Sequence, residues 1–461
     1  MNALIVLSLL AIVVLYFGLF KAQRLLLPVT LVGLVIALVM TWGGWNTNAQ
    51  PIYSGMMLFD NFAVAFSALC IASTILILLV SKDYFERISK HIAEYYAIIL
   101  FALAGVLVMV SFYNLSMLFI GVEIMSVSLY ILVGIRKKDY ASNEAALKYF
   151  LMGAFSTGFL LFGITCLYGA TGSFSLEVIK NYVLVNPGQI SSLFYSGVIL
   201  MLVGLCFKIG VAPFHFWTPD VYEGAPTLIT AFMSIVAKTA GFAALLRLFA
   251  YCLVPLNHFW VPAIVVIIIL TIFIGNITAV YQINFKRMLA YSSISHAGYL
   301  LLATLVLGST STSAVFMYLV AYSIASVVAF ATLILLNRGV GTSNFDDFNG
   351  LAKKNPWMAF ALTVSMLSLA GIPLTAGFVG KFMLFSVAMS AYHIGLVGLA
   401  IVSALIGVFY YLRVIVAMYF KEAEQEEIAL SWGYKLVFGF ATFATILLGV
   451  YPNYILDLFG G

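Results

Sequence analysis

Residues 206–226 read CFKIGVAPFHFWTPDVYEGAP, and their reading decides the fold. Lys208 stands inside an apolar run, Pro213 interrupts the run five residues later, and His215 follows the break. A charged side chain in such a run is costly unless it faces a cavity or a partner. The surrounding composition settles the medium. Of 461 residues, 64% are hydrophobic and 8% charged, against about 25% charged in a soluble globular domain. Mean hydropathy is +1.12. The chain is therefore read as an all-α integral membrane protein.

A helix needs roughly 20 apolar residues to cross a bilayer. Working outward from 206–226, the sequence predicts about fourteen spans: 2–20, 26–43, 57–80, 95–113, 115–135, 146–170, 192–213, 226–250, 260–281, 288–308, 313–337, 357–389, 394–419 and 432–455. The opening MNALIVLSLLAIVVLYFGLFK is too long for a signal-peptide core and lacks a basic start, so it reads as the first span.

Lysine and arginine follow the odd-numbered spans: Lys21 and Arg24; Lys82, Arg87 and Lys90; Arg136, Lys137 and Lys138; Lys286 and Arg287; Lys353 and Lys354; Lys421. The alternate loops hold little beyond Lys180 and Arg247. Cytoplasmic loops carry the excess of Lys and Arg, so both termini are expected on the trans side, the periplasm in a bacterium. TPDVYEGAP (218–226) is cytoplasmic by this count yet acidic, which suggests a loop with a job, either meeting a partner subunit or capping the next helix. The stretch 421–432 reads as an amphipathic surface helix or a solvated loop.

Several function classes drop out. The net charge of +5 is spread over short loops with no dense basic patch, which excludes a nucleic-acid surface. Cys70, Cys166, Cys206 and Cys252 lie in apolar runs without metal-ligand spacing. No glycine-rich nucleotide loop of the GxGxxG or GxxxxGK[ST] type is present, so the chain carries no engine for ATP or NADH.

The charges left inside spans are few: Glu123, Lys148, Lys208, Lys238 and Lys381, with His296 and His215 as titratable imidazoles. Glu144 lies one turn before Lys148, which admits a local ion pair. Arg247, near a span end, reads as an interface anchor. Desolvation disfavours lysine and carboxylate charges alike, and pairing restores both. A glutamate moved toward or away from a buried lysine therefore loads and unloads a proton. That chemistry suits stepwise proton transfer better than a scaffold, which has no use for several costly charges.

The breaks add a second signal. Pro213 follows Lys208, and Pro373 with its glycines precedes Lys381 in LAGIPLTAGFVGK (369–381). Proline frees a helical carbonyl, and irregular backbone at membrane depth is tolerated where it lines protein or a watery cavity. Two broken helices, seven and twelve, point to two inverted five-helix repeats. The expected division is 1–94 for helices 1–3, 95–255 for the first repeat, 256–420 for the second and 421–461 for helix 14.

EAALKYFLMGAFSTGFLLFGITCLYGATGS (144–173), FKIGVAPFHFWTPDVYEGAPTLITAFMSIVAKTAGF (207–242), FKRMLAYSSISHAGY (285–299) and LAGIPLTAGFVGKF (369–382) closely resemble signature segments of a known family. It is the antiporter-like membrane subunit N of proton-pumping NADH:quinone oxidoreductase, respiratory complex I. The resemblance implies fourteen helices and a proton channel with no cofactor of its own. Flavin, iron–sulfur clusters and quinone are then expected in partner subunits of a hetero-oligomer in the cell inner membrane.

By resemblance, Glu123 takes the place of the helix-five glutamate that partners the helix-seven lysine, Lys208. Lys148 and Lys238 match the further lysines of that half, His296 the central histidine, and Lys381 the helix-twelve lysine near the trans-side exit. A multi-subunit cation/proton antiporter shares this architecture and is the alternative, as is a hydrogenase- or ferredoxin-linked relative. ALKYFLMGAF and YGATGS favour subunit N.

Overall fold

The computed structural model describes residues 2–20, 22–47, 49–82, 84–85, 91–186, 188–337, 343–391, 393–422 and 427–458. Lys21, Arg87 and Lys90, used above for orientation, lie outside them. The described residues form helices joined by short connections, with isolated β-bridges at a few loop positions.

Among the described residues, eleven helices are long and apolar enough to cross a membrane. One is the 54-residue run Thr227–Val280. It cannot be straight: the Phe249 and Trp260 rings lie 5.1 Å apart and Trp260 Nε1 donates to the Leu253 carbonyl. Eleven residues of straight helix would separate those rings by about 16 Å. The turn is made by the π-helical Phe249–Leu253 and the 3₁₀ turn Val254–Leu256. Split there, and joined by Phe285–Ala303 and the broken pair Pro356–Ala370 and Ala376–Ser390, the spans reach the number expected from the sequence.

Both expected breaks are present. The helix Ser192–Ile209 stops at Gly210, whose φ of +72° suits a residue without Cβ. The chain becomes helical again only at Trp217–Gly224. The helix Pro356–Ala370 ends on Gly371 at φ +84°, and Ala376–Ser390 restarts where the Thr375 side chain accepts from Phe378 N–H. The span predicted over 357–389 is thus two half-helices. By contrast, the span predicted over 146–170 is longer than expected, Tyr140–Thr171, capped by Asp139 accepting from Ala141 N–H.

The chain groups into two compact units. The first contains the residues up to Ile209 together with Gly224–Pro262. Within it the Leu115–Val133 helix packs closely on Ile92–Val110, because a Cβ at Gly105 would lie 2.6 Å from the Met125 nitrogen. Small residues at such crossings let membrane helices approach and gain dispersion energy. The second unit contains Gly210–Glu223 and the residues from Ala263 onward. Its Ser309–Leu336 helix is buried along most of its length, a central position for one element.

Residues 427–431 are not helical, and 423–426 lie outside the described residues. The amphipathic helix considered over 421–432 is therefore not formed where the chain is described. Four acidic side chains in KEAEQEEIAL (421–430) leave it little apolar surface to bury.

Candidate functional site

In the first unit, Lys208 lies in the last turn of its half-helix and is 7% exposed. Its ammonium donates to Ser126 Oγ at 2.8 Å, and Ser126 in turn donates to the Val122 carbonyl. Ser126 sits one turn beyond Glu123 on the Leu115–Val133 helix. Glu123 Oε1 is buried with no hydrogen-bond partner among the described residues. Glutamate and lysine thus share one locality without a direct ion pair, and a neutral serine holds the ammonium. This geometry leaves the carboxylate uncommitted, as a switchable partner requires.

Lys238 is 3% exposed and follows directly on the π turn Met233–Ala237. Such turns inside α-helices often occur at functional sites. Lys148 behaves differently: its ammonium pairs with Glu144 at 2.8 Å on a partly exposed face. The local i,i+4 pair considered from the sequence is what forms. Arg247, read as an interface anchor, is instead an internal ion-pair partner. Its side chain is 5% exposed and reaches Asp60 at 2.5 Å, the residue that also caps Asn61–Leu79 by accepting from Ala63 N–H. Burial beside a carboxylate removes any need for the guanidinium to reach lipid headgroups.

In the second unit, His296 is 2% exposed on Phe285–Ala303. Its Nδ1 is bonded to the Tyr318 hydroxyl and its Nε2 to the Tyr411 hydroxyl at 2.8 Å. Tyr411 also bonds Ser292, one turn before His296. Both ring nitrogens therefore contact a hydroxyl that can give or take a proton. A small cavity borders the ring, lined by His296, Tyr318, Tyr322, Ser368 and Gly377 among others.

Lys381, 7% exposed, donates to the carbonyls of Leu369 and Ala370, each at 2.9 Å. Those carbonyls close the half-helix Pro356–Ala370, where orphan acceptors and the negative end of the helix dipole favour a cation. The break expected from Pro373 frees the groups that seat the lysine. Below the ammonium lies the Tyr299 ring at 5.3 Å. Tyr299 Oη accepts from Asn276 Nδ2 at 2.7 Å, while Asn276 Oδ1 accepts from Tyr410 at 2.8 Å.

The acidic loop has a partner inside the chain. Arg287 donates to Asp220 at 3.0 Å and Glu223 at 2.6 Å, and Lys286 donates to the Glu223 carbonyl. In the first unit, Thr227 N–H at the start of the next helix donates to Tyr84 Oη, which also accepts from Arg136. Burial pushes the Tyr84 phenol above its ordinary pKa, and the Arg136 charge opposes the shift.

The family described as NADH:quinone oxidoreductase/Mrp antiporter, TM matches residues 113–407, which hold every one of these buried lysines. The chain belongs to this family. Among its relatives, NADH-quinone oxidoreductase subunit N of Flavobacterium psychrophilum is 40% identical, over 99% of this chain and 100% of that protein. A chain of respiratory complex I from Thermus thermophilus with bound aureothin superposes with a TM-score of 0.85 at 32% identity, over 99% and 98% of the two chains. A chain of the Mrp complex from Dietzia sp. reaches a TM-score of 0.86 at 20% identity, over 99% and 96% of the chains, and shares the fold.

In this antiporter-family chain, sequence reasoning found the charged groups and missed what they bind. Ser126, Tyr318, Tyr411, Tyr299 and Asn276 carry no charge to flag them. A serine one helical turn from an intramembrane glutamate is the one signal that could have been noticed.

Proposed function

We propose that the chain is a membrane-arm subunit of an NADH:quinone oxidoreductase that carries protons across the inner membrane. The observation that carries this reading is the 40% identity, over essentially the whole length of both chains, to a protein named for that role. The buried ammoniums supply the chemistry. Lys208 and Lys381 each donate to neutral acceptors among the described residues, and Glu123 lies near Lys208 without a direct bond to it, so the pull of the carboxylate on the ammonium can change without a bound ion pair being broken.

The chain itself acts as a non-redox translocase. Electrons pass from NADH to quinone through flavin and iron–sulfur clusters in other subunits, and that redox energy alters the link between Glu123 and Lys208. Protons enter from the cytoplasmic side, load Lys208, Lys238 and His296 in turn, and leave past Lys381. Lys148 assists at the edge of the first repeat. The repeats are residues 95–255 and 256–420, and both termini face the periplasm. Moving one charge against 100 mV needs about 2.3 kcal/mol, and a swing of roughly two pKa units on a carrier supplies a similar amount at about 1.4 kcal/mol per unit.

The test is to purify the membrane assembly through a tag on this chain and compare wild type with Glu123→Gln. Companions carrying flavin and iron–sulfur clusters, with NADH:quinone turnover that collapses in Glu123→Gln while assembly persists, are expected. Companions that are only cation/proton antiporter subunits would overturn the complex I assignment. Normal pumping by Glu123→Gln would remove the glutamate from the mechanism.

A further inference from the structure

Glu123, Ser126 and Tyr130 stand at i, i+3 and i+7 on the Leu115–Val133 helix, which places them on one face. They span about 10 Å along the axis. Ser126 at the centre holds the Lys208 ammonium. On either side lies a buried polar atom with no hydrogen-bond partner among the described residues: Glu123 Oε1 and Tyr130 Oη. Lys208 Nζ lies 5.9 Å from the Tyr130 ring centroid, so the phenol belongs to the lysine's immediate surroundings.

The phenol is held firmly. Tyr130 is 9% exposed and its ring meets Tyr149 edge-on at 4.8 Å and Phe150 at 5.7 Å. Its hydroxyl occupies the space left by Gly153, where a Cβ would come within 2.1 Å of Oη. Gly153 lies on Tyr140–Thr171, the helix that also carries Lys148. Packing has thus made a slot for a hydroxyl that lies near Ser126 and makes no well-formed hydrogen bond among the described residues. A buried hydroxyl left unpaired costs about 1–3 kcal/mol, so stability alone would be served better by phenylalanine. A buried water bonds to about three polar groups, and this helix face offers Glu123, Lys208, Ser126 and Tyr130.

We propose that the Tyr130 hydroxyl is a further proton station of the first unit, sharing with Glu123 and Lys208 a buried water site on this helix face. In each passage, one O–H bond forms at Oη as another breaks. The phenol ends neutral, and electrons stay where they were. Tyr130 thereby extends the path from Lys208 toward the helix that bears Lys148. The inference rests on the proton-carrying role proposed above.

The experiment uses the whole membrane complex with Tyr130→Phe, Gly153→Ala and the double variant, beside wild type and Lys208→Met. Assembly, thermal midpoint, NADH:quinone turnover and protons pumped per electron pair are measured. Positioned proton donors contribute about 10²–10⁴-fold, so Tyr130→Phe should assemble with an unchanged or raised midpoint and lose roughly tenfold or more of its coupled rate. Gly153→Ala crowds the Tyr130 hydroxyl at 2.1 Å and its ring carbon Cζ at 2.7 Å, so it should lose at least as much coupled rate, and the double variant should regain none of it.

Full pumping by Tyr130→Phe overturns the inference. Failure of Tyr130→Phe to assemble also overturns it, because the hydroxyl would then be structural. A wild-type complex that pumps no protons sinks the underlying functional reading instead. Pumping by wild type that is lost in Lys208→Met and retained in Tyr130→Phe sinks this inference alone.

Discussion

Gly371→Ala is the sharpest probe of how the broken twelfth span seats its lysine. Gly371 has φ of +84°, a conformation that costs a side-chain-bearing residue about 1–2 kcal/mol. The added Cβ would lie 2.8 Å from Lys381 Cδ and 3.3 Å from Nζ. Cδ lies mid-chain, and Nζ is tied to two carbonyls at 2.9 Å each. The lysine therefore cannot step aside without lengthening at least one of those bonds. A hydrogen bond to a charged group is worth about 1.5–3 kcal/mol. At about 1.4 kcal/mol per tenfold, losing one lowers occupancy of the seat by the ammonium roughly 10- to 100-fold.

The assay is proton uptake by proteoliposomes containing the assembled complex, normalised to NADH oxidised. Gly371→Asn is the control, because asparagine tolerates the left-handed region while still carrying a Cβ. Both variants should lose pumping alike, with Asn recovering part of the thermal stability. Restored pumping in Gly371→Asn would assign the defect to backbone strain. Wild-type pumping in Gly371→Ala would refute the claim that these carbonyls seat Lys381.

Two further outcomes follow from the polar contacts around the sites. Asn276→Leu leaves the Tyr299 and Tyr410 hydroxyls without the amide that joins them; at about 1–3 kcal/mol for each buried orphan, the thermal midpoint of the solubilised assembly should drop by several degrees, and an unchanged midpoint would show the network to be replaceable. Arg287→Gln removes two ion pairs whose side chains are 31–39% exposed. Exposed pairs are worth about 0–1 kcal/mol, so the midpoint should fall slightly and lose its salt dependence, whereas a large, salt-independent loss would mean the clamp on Trp217–Gly224 is structural.

The spans and both breaks were legible because each rests on a local rule. An apolar run of sufficient length must be helical in lipid, and Pro213 and Pro373 follow, by three and two residues, a glycine that the chain bends at a positive φ. The buried charges were legible for the same reason, since each violates the composition around it. Their acceptors were not. Lys381 binds the backbone of Leu369 and Ala370, which leaves no trace in residue identity. His296 binds tyrosines 22 and 115 residues away, two among 26 in the chain. Arg247 finds Asp60 across 187 residues, so a rule about span ends put it at the lipid interface.

These misses share a direction. Sequence patterns mark where a charge is expensive, and tertiary packing decides what makes it tolerable. In this chain, hydroxyls and freed carbonyls hold Lys208 and Lys381, and paired carboxylates appear at Lys148, Arg247 and Arg287. Of the groups proposed to change protonation, Lys208, Lys381 and His296 thus contact neutral partners. Of Lys148, Arg247 and Arg287, the two arginines keep their charge at any working pH, and Lys148 sits on a partly exposed face. A fixed counter-ion would lock a carrier in its loaded form, while a serine or a carbonyl stabilises the ammonium by a hydrogen bond that can be given up. The neutral partners of Lys208 and Lys381 are therefore what a chain of releasable protons requires, and they separate these two lysines from Arg247 and Arg287, whose ion pairs hold the helices together.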